Sequence, residues 1–595
     1  MIRTAILLTC ALSAPLFGAL TQEQRVQDFQ TLTSIYAKRY APANWKIQAL
    51  GVNVFDIGPW MKQVREAKSD LEFIEVMMRY VASFQDTHVS LSMTSNFVAQ
   101  TGIVVDLYDG KVVIELVQRA LLPLAQYPFV NGDEVVSVDG RPALELAREF
   151  AGLRGAGNPR AALRSGVGRV TSRSQSVVPQ AVNVPEKSTF VIRRQNGDLE
   201  TYDIPWVKSG YPVREIGGVP SPFGFHSGVR LHEPYVPNDS TDENQLPTWK
   251  KEFYERHTSA ASKEDTKLIG EPVETEDGVR LEPKALLNYG SRFPWFVMPP
   301  GFQQRLGNAP TDIFFSGIFP SEGFRMGYFR VPNFPTYTAA QYNQLVSEIA
   351  FLNANTDGLI VDVARNTGGT ICSGVDLAST LIPGGLRYAG LAYRPFLSLI
   401  VAYDQQISSL QTQGAPSWVT DILNFEKKML EDAYFNGRGL TGPMAFCNFD
   451  LNYPSAPAVY TKPMIVLVDD FSTSTGDYFP ALIQDNKRAK LVGTRTNGAG
   501  GSVIDLSAGW YSETNTRVTQ SLMVRPEERE FEGFPKSPYI ENTGVRPDIE
   551  LDYMTVENAA NAGRPYSNAF ARILAEEIRA ARLTSAVANK TTEDK

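Results

Sequence analysis

The sharpest hydrophobic pattern in the chain lies between Pro463 and Val503. Residues 464–468 form a short apolar, β-branched run that predicts a buried strand, closed by Asp469, Asp470 and a Ser/Thr cluster. Over residues 476–485 the period lengthens, and Tyr478, Phe479, Leu482 and Ile483 fall on one side of a helix. Residues 491–493 predict a second strand. The same alternation occurs upstream. Residues 326–331 read as a strand, and 338–353 as a helix with Tyr342, Leu345, Val346, Ile349 and Leu352 on one face. Residues 358–363 are a further strand, running into Asn366-Thr367-Gly368-Gly369. Strand–helix–strand order implies parallel pairing and an α/β core, spanning roughly residues 293–556.

The flanks have other periods. Residues 20–98 read as helical, with a Ser69-x-x-Glu72 capping box ahead of Ile74, Met77, Val81 and Phe84. Residues 99–208 read as strands, with runs at 102–105, 111–114 and 130–140. Residues 155–187 interrupt them with Arg160, Arg164, Arg169 and Arg173 among Gly, Ser, Ala and Pro, a composition that predicts a mobile loop. Residues 209–292 read as a surface insertion and linker. His226, His232 and His257 fall there and are taken as non-catalytic. A second insertion, 385–460, carries helical character over 419–433. Strands follow over 502–524. Residues 557–595 are a C-terminal helix, amphipathic over 566–587, and a short tail.

Composition narrows the chemistry. The chain has 595 residues, 43% hydrophobic and 21% charged, the balance of a globular protein with several structural units. A net charge of −8 argues against nucleic acid as the main partner. Three cysteines make no disulfide scaffold. With Cys10 in the leader, Cys372 and Cys447 remain, and the sequence leaves their pairing open. Four histidines without an H-E-x-x-H pattern argue against zinc, and nothing calls for another cofactor. Residues 1–19 have the charged start, short apolar stretch and small residues of a secretory signal, so the mature protein is expected to be exported, without a membrane-spanning segment.

Ser474 sits on the predicted strand-to-helix turn. A hydroxyl there lies beside first-turn N–H groups able to stabilise a developing oxyanion. The competing reading is an ordinary helix cap. His88 stands at the end of the N-terminal helical segment, either as a structural residue or as a base. Gly368-Gly369 can bring backbone N–H groups close to a ligand because no Cβ intervenes.

Together these stretches resemble the carboxyl-terminal-processing, or tail-specific, serine proteases. The resemblance rests on Gly358 to Gly369, on Ser474 with Gln484-Asp485, on Val492-Gly493-Thr494-Arg495-Thr496, and on Gly544-Val545-Arg546-Pro547-Asp548-Ile549. It implies a crotonase/ClpP-like spiral catalytic core with an inserted PDZ-like β domain. The Gly132-Asp133 and Asp139-Gly140 pairs match that domain's strands; a structural hairpin module is the competing reading. It also implies an oxyanion hole from the N–H groups of Thr475 and of Gly369 or Gly368. Most members carry a catalytic lysine in the turn where this chain has Asn497-Gly498-Ala499-Gly500-Gly501. A divergent secreted subgroup also has alanine there and uses Ser, His and Glu. The resemblance to it extends to Lys38-Arg39-Tyr40-Ala41-Pro42, His88, Phe471 to Pro480 and Ile540-Glu541-Asn542. It implies a serine endopeptidase acting on protein or peptide substrates through Ser474, His88 and Glu541, with a homodimer as the assembly to test. Asp485 is read as structural. Activity is expected to rise through a histidine pKa of about 6–7. The alternative is a non-catalytic binder of peptides or small hydrophobic ligands on the same fold.

Overall fold

The computed structural model describes residues 19–216, 273–274, 280–281, 289–309, 311–445, 447 and 451–593. Residues 1–18, where a leader is expected, and most of 209–292, expected as an insertion and holding His226, His232 and His257, lie outside the described residues.

Seven strands form the central sheet, in the order Gln303–Leu306, Phe315–Ser321, Phe324–Arg330, Gly358–Asp362, Met464–Val468, Lys490–Gly493 and Ile549–Glu550. The first three pair antiparallel, and every later neighbour is parallel. Gly358–Asp362 and Met464–Val468 are buried along their whole length, which is why they read as continuous apolar runs rather than alternating ones. Side chains still alternate between faces. Val466 and Val468 enter a core with Leu345, Ile349, Phe479 and Leu482. Ile465 and Leu467 enter another with Tyr328, Phe570 and Leu574, beneath the long helix Arg564–Glu593. The expected helices appear as Ala339–Asn355, capped by Thr338, and Thr475–Asp485.

A separate antiparallel sheet holds Ile103–Tyr108, Lys111–Val117, Glu134–Val138, Lys187–Arg193 and Leu199–Pro205, packed on the helix Ala143–Ala151. The loop expected over 155–187 is a correction. It contains the helix Pro159–Thr171, capped by Asn158, with Arg164 and Arg169 buried. Its small residues serve close packing, not freedom: a Cβ at Gly166 would lie 2.0 Å from the Ala147 carbonyl oxygen of the neighbouring helix. Arg164 is sustained in the interior by Asp106, Asp469 and Asp470.

The N-terminal segment is four helices, Gln22–Arg39, Ala43–Leu50, Gly58–Glu66 and Asp70–Ala82. Ser69 caps the last by accepting the Glu72 N–H at 3.2 Å. The chain then forms Ser90–Ser92, antiparallel to Asn515–Thr519. That pairing joins the segment bearing His88 to residues more than 400 positions away. In the second insertion a helix expected over 419–433 is Ser417–Phe435, and it packs on a helix the sequence did not suggest, Leu397–Thr412. Cys372 and Cys447 are disulfide-bonded.

Candidate active site

Adjacent parallel strands deliver their following turns to the same edge of a sheet, the usual place for ligands in α/β folds. Gly358–Asp362 and Met464–Val468 do so here, and the two turns are stitched together. The Ser472 hydroxyl donates to the Val363 carbonyl at 2.7 Å, and the Thr473 N–H to the Asn366 carbonyl at 3.0 Å. Ser474 then enters its helix at φ 59° and ψ −115°. An ordinary cap is extended, as Thr338 is at φ −67° and ψ 163°. Ser474 thus occupies the cap position in a strained conformation of the kind that collects at functional turns. Asp477 holds it, accepting the Ser474 N–H at 2.8 Å.

Gly368 lies against this turn. At φ +83°, a Cβ on it would fall 2.6 Å from Ser474 Cβ and 3.2 Å from Ser474 Oγ. Gly369, at φ +134°, would bring a Cβ to 2.2 Å from the Phe334 carbonyl oxygen. Only glycine fits either position. The Gly368 N–H donates to Asn366 Oδ1 at 2.7 Å. Thr475 Oγ1 donates to the Gly369 carbonyl at 2.7 Å, and the Thr475 N–H belongs to the helix's first turn.

The turn Asn497–Gly501 is a hub. Gly498 and Ala499 N–H donate to Asp477 at 2.7 and 3.1 Å, and Gly500 N–H donates to Glu541 Oε2 at 3.0 Å. Asn497 Oδ1 accepts the Thr87 hydroxyl, one residue from His88. Gly498 also accepts the Asn542 N–H at 2.9 Å. Ala499, in the turn where the resemblance would put a lysine, is fully buried. The loops bearing Ser474, His88 and Glu541 therefore meet on one short turn.

His88 is buried, and its backbone N–H donates to Asp86 Oδ1 at 2.8 Å. Its Nδ1 is buried with no hydrogen-bond partner. Burial pulls the imidazole down to about 4, against the attraction of Asp86 and with help from Arg517, Lys46 and Arg154. That corrects the histidine value near 6–7 expected above. Glu541 is fully buried, and burial, then the neighbouring charge of Asp86, pushes it up to about 7, while Lys46 pulls it down. Among the described residues no hydrogen bond joins His88 to Ser474 or to Glu541. Glu541 instead pairs with Lys46.

Sequence reasoning passed over Lys46 and Asp477. Asp477 carried a readable signal, Ser474-x-x-Asp477 at a helix start. It accepts from both the nucleophile turn and the hub turn, and burial pushes its carboxyl up to about 6. Lys46 carried none, since a lysine in a short helix reads as a solvated side chain. Asp485 is structural as expected, paired with Arg525 and Arg529.

A serine on a strained strand-to-helix turn, faced by glycines and by buried titratable groups, is the layout of a serine hydrolase. Residues 325–551 match Peptidase family S41, so the chain carries a domain of that family and is a serine-type peptidase. A Chlamydia pneumoniae protein is 25% identical over 582 residues, covering 90% of this chain and 87% of that one. The chloroplastic C-terminal processing peptidase of Tetradesmus obliquus is 23% identical over 230 residues, covering 38% of this chain and 35% of its own. Among solved structures, mature CPAF shares the fold, with a TM-score of 0.69 at 20% identity over 94% of this chain and 98% of that one. The structure of mature CPAF complexed with lactacystin matches at a TM-score of 0.67 and 20% identity, covering 94% of this chain and 99% of that one.

Proposed function

We propose that the chain is an exported serine endopeptidase that hydrolyses peptide bonds through Ser474, His88 and Glu541 and an acyl-enzyme. His88 takes the Ser474 proton as Ser474 attacks a peptide carbonyl. The N–H groups of Thr475 and Gly369 stabilise the oxyanion. His88 then protonates the leaving amine, and water releases the acyl group. Glu541 stabilises the imidazolium. The observation that carries this reading is the hub turn, which binds the neighbours of all three residues while bearing Ala499, unable to take a proton. His88 neutral near pH 7 is in the state a base requires. Closing the gap between His88 and its partners falls to substrate binding, since catalytic hydrogen bonds commonly tighten only in the complex.

On this reading the antiparallel sheet with its helix is PDZ-like and offers an edge for extended peptide. The core is crotonase/ClpP-like, the leader directs export, and the assembly to test is a homodimer. A fluorophosphonate should label Ser474 in the mature protein, and lactacystin, bound in one CPAF structure, should compete for it. A peptide-library digest should show cleavage absent from Ser474→Ala. A protein that neither labels nor cleaves would favour the non-catalytic binder of peptides or small hydrophobic ligands.

A further inference from the structure

The helix Ala43–Leu50 lies outside the matched family domain, yet it reaches the centre of the site. Lys46 is 0% exposed. An ammonium has three N–H donors, and each finds an acceptor: Glu541 Oε1, Asn542 Oδ1 at 2.7 Å and the Gln85 carbonyl at 3.1 Å. The neighbouring Trp45 Nε1 donates to the Glu541 carbonyl at 2.9 Å. Asn542 Nδ2 returns to the same Gln85 carbonyl at 2.7 Å. Two consecutive helix residues thus grip the Glu541–Asn542 turn, and Lys46 also grips the chain three residues before His88. Gln85 at φ 50° and Asn542 at φ 63° are both left-handed, so each bend needs such support. A buried ammonium persists only when its charge and donors are matched, as they are here.

We propose that Lys46 is a positioning residue for this peptidase: one ammonium fixes Glu541 and the Gln85–His88 loop in register and supplies the counter-charge of Glu541. The inference rests on the Ser474/His88/Glu541 reading. Lys46 is not placed as a base, because its donors are all engaged by acceptors other than Ser474, whereas a base lysine needs a neutral amine turned toward the serine hydroxyl. Asp86 and Tyr40 face Glu541, and His88 faces Lys46, with Asp86, Arg517 and Arg154 also acting on His88. Lys46 is the cation hydrogen-bonded to Glu541. Without it, Glu541 and Asp86 face each other and Glu541 takes up a proton more readily.

The test uses the full mature chain and a fluorogenic peptide chosen from the library digest. Lys46→Met should lower kcat at pH 7 by about 10-fold or more with KM little changed. It should also move the acid limb of the rate profile upward by about one pH unit, so that rate returns at high pH. An equal loss at every pH, with a lowered melting temperature, would mean a structural role only and overturn the proposal. If Lys46→Met does not fold, Lys46→Met with Glu541→Gln removes both buried charges together. It should stay within about 10-fold of Glu541→Gln alone, the difference being the freed Gln85–His88 loop; a larger loss would sink the inference. Activity retained in His88→Ala overturns the triad reading instead, and activity lost only with Lys46 would make Lys46 the base.

Discussion

Two buried charge clusters flank the nucleophile turn, and they differ in kind. On the side of the antiparallel module, Arg164 reaches Asp106 at 2.6 Å and Asp470 at 2.8 Å, and lies over the Phe471 ring at 3.9 Å. Arg365 meets Glu115 at 2.9 Å, and its Nε donates to the Tyr553 hydroxyl at 2.9 Å. Carboxylates there outweigh burial, and both guanidiniums hold their protons more tightly than usual. On the other side, Glu541 is pushed up to about 7 and His88 down to about 4, each toward its neutral form. The first cluster holds both guanidiniums charged, although burial raises Asp106 against their pull, and ties the antiparallel module to the turns around Arg365 and Asp469. The second holds its histidine neutral at pH 7, as a base must be, and leaves Glu541 near its switching point.

The largest expected effect breaks the second cluster. Ser474→Ala and His88→Ala should each lower kcat by about 10⁴-fold or more, and the double variant no further, because the two act as a unit. Breaking the first cluster should do the opposite. Arg164→Met strands Asp106 and Asp470 and should cost about 3–5 kcal/mol in urea unfolding, while the rate profile of the folded protein keeps its acid limb.

Linkage sharpens the contrast. The folded pKa of His88 is depressed, so its contribution to stability is present above about 6.5 and lost as pH falls toward about 4. Glu541, raised, works in the opposite sense: its contribution is present below its unfolded value and lost as pH rises through about 7. Over pH 6.5 to 4 wild type should therefore lose up to about 3 kcal/mol relative to His88→Ala, measured by denaturation at each pH. Glu541→Gln should cost less than loss of Ser474 or His88, about 10²-fold in kcat, with the acid limb near 7 abolished. A limb that survives in Glu541→Gln would assign it to another group.

Much of the core was legible because its signals are local. Met464–Val468 appears at the bounds its apolar run predicted, and the helix after it starts one residue earlier than expected. The Gly368-Gly369 turn and Ser474 were visible as spacing around strand ends, and the structure sets Gly368 against Ser474. Residues 155–187 misled because glycine and alanine mean freedom in a loop and close approach in a packed helix, and composition does not separate the two. Arg164 misled for the same reason: exposure is the default for arginine until three carboxylates surround it.

Periodicity and short motifs, which act over a few residues, determined the strands, the helices and the turn that carries Ser474. Tertiary structure alone decided that Lys46, 495 positions from Glu541, is its partner, and that the Asn497–Gly501 turn joins the loops of three distant residues. The physical reason is burial. Whether a lysine, a histidine or a glutamate keeps its ordinary charge depends on which groups replace water around it, and those groups arrive from far along the chain.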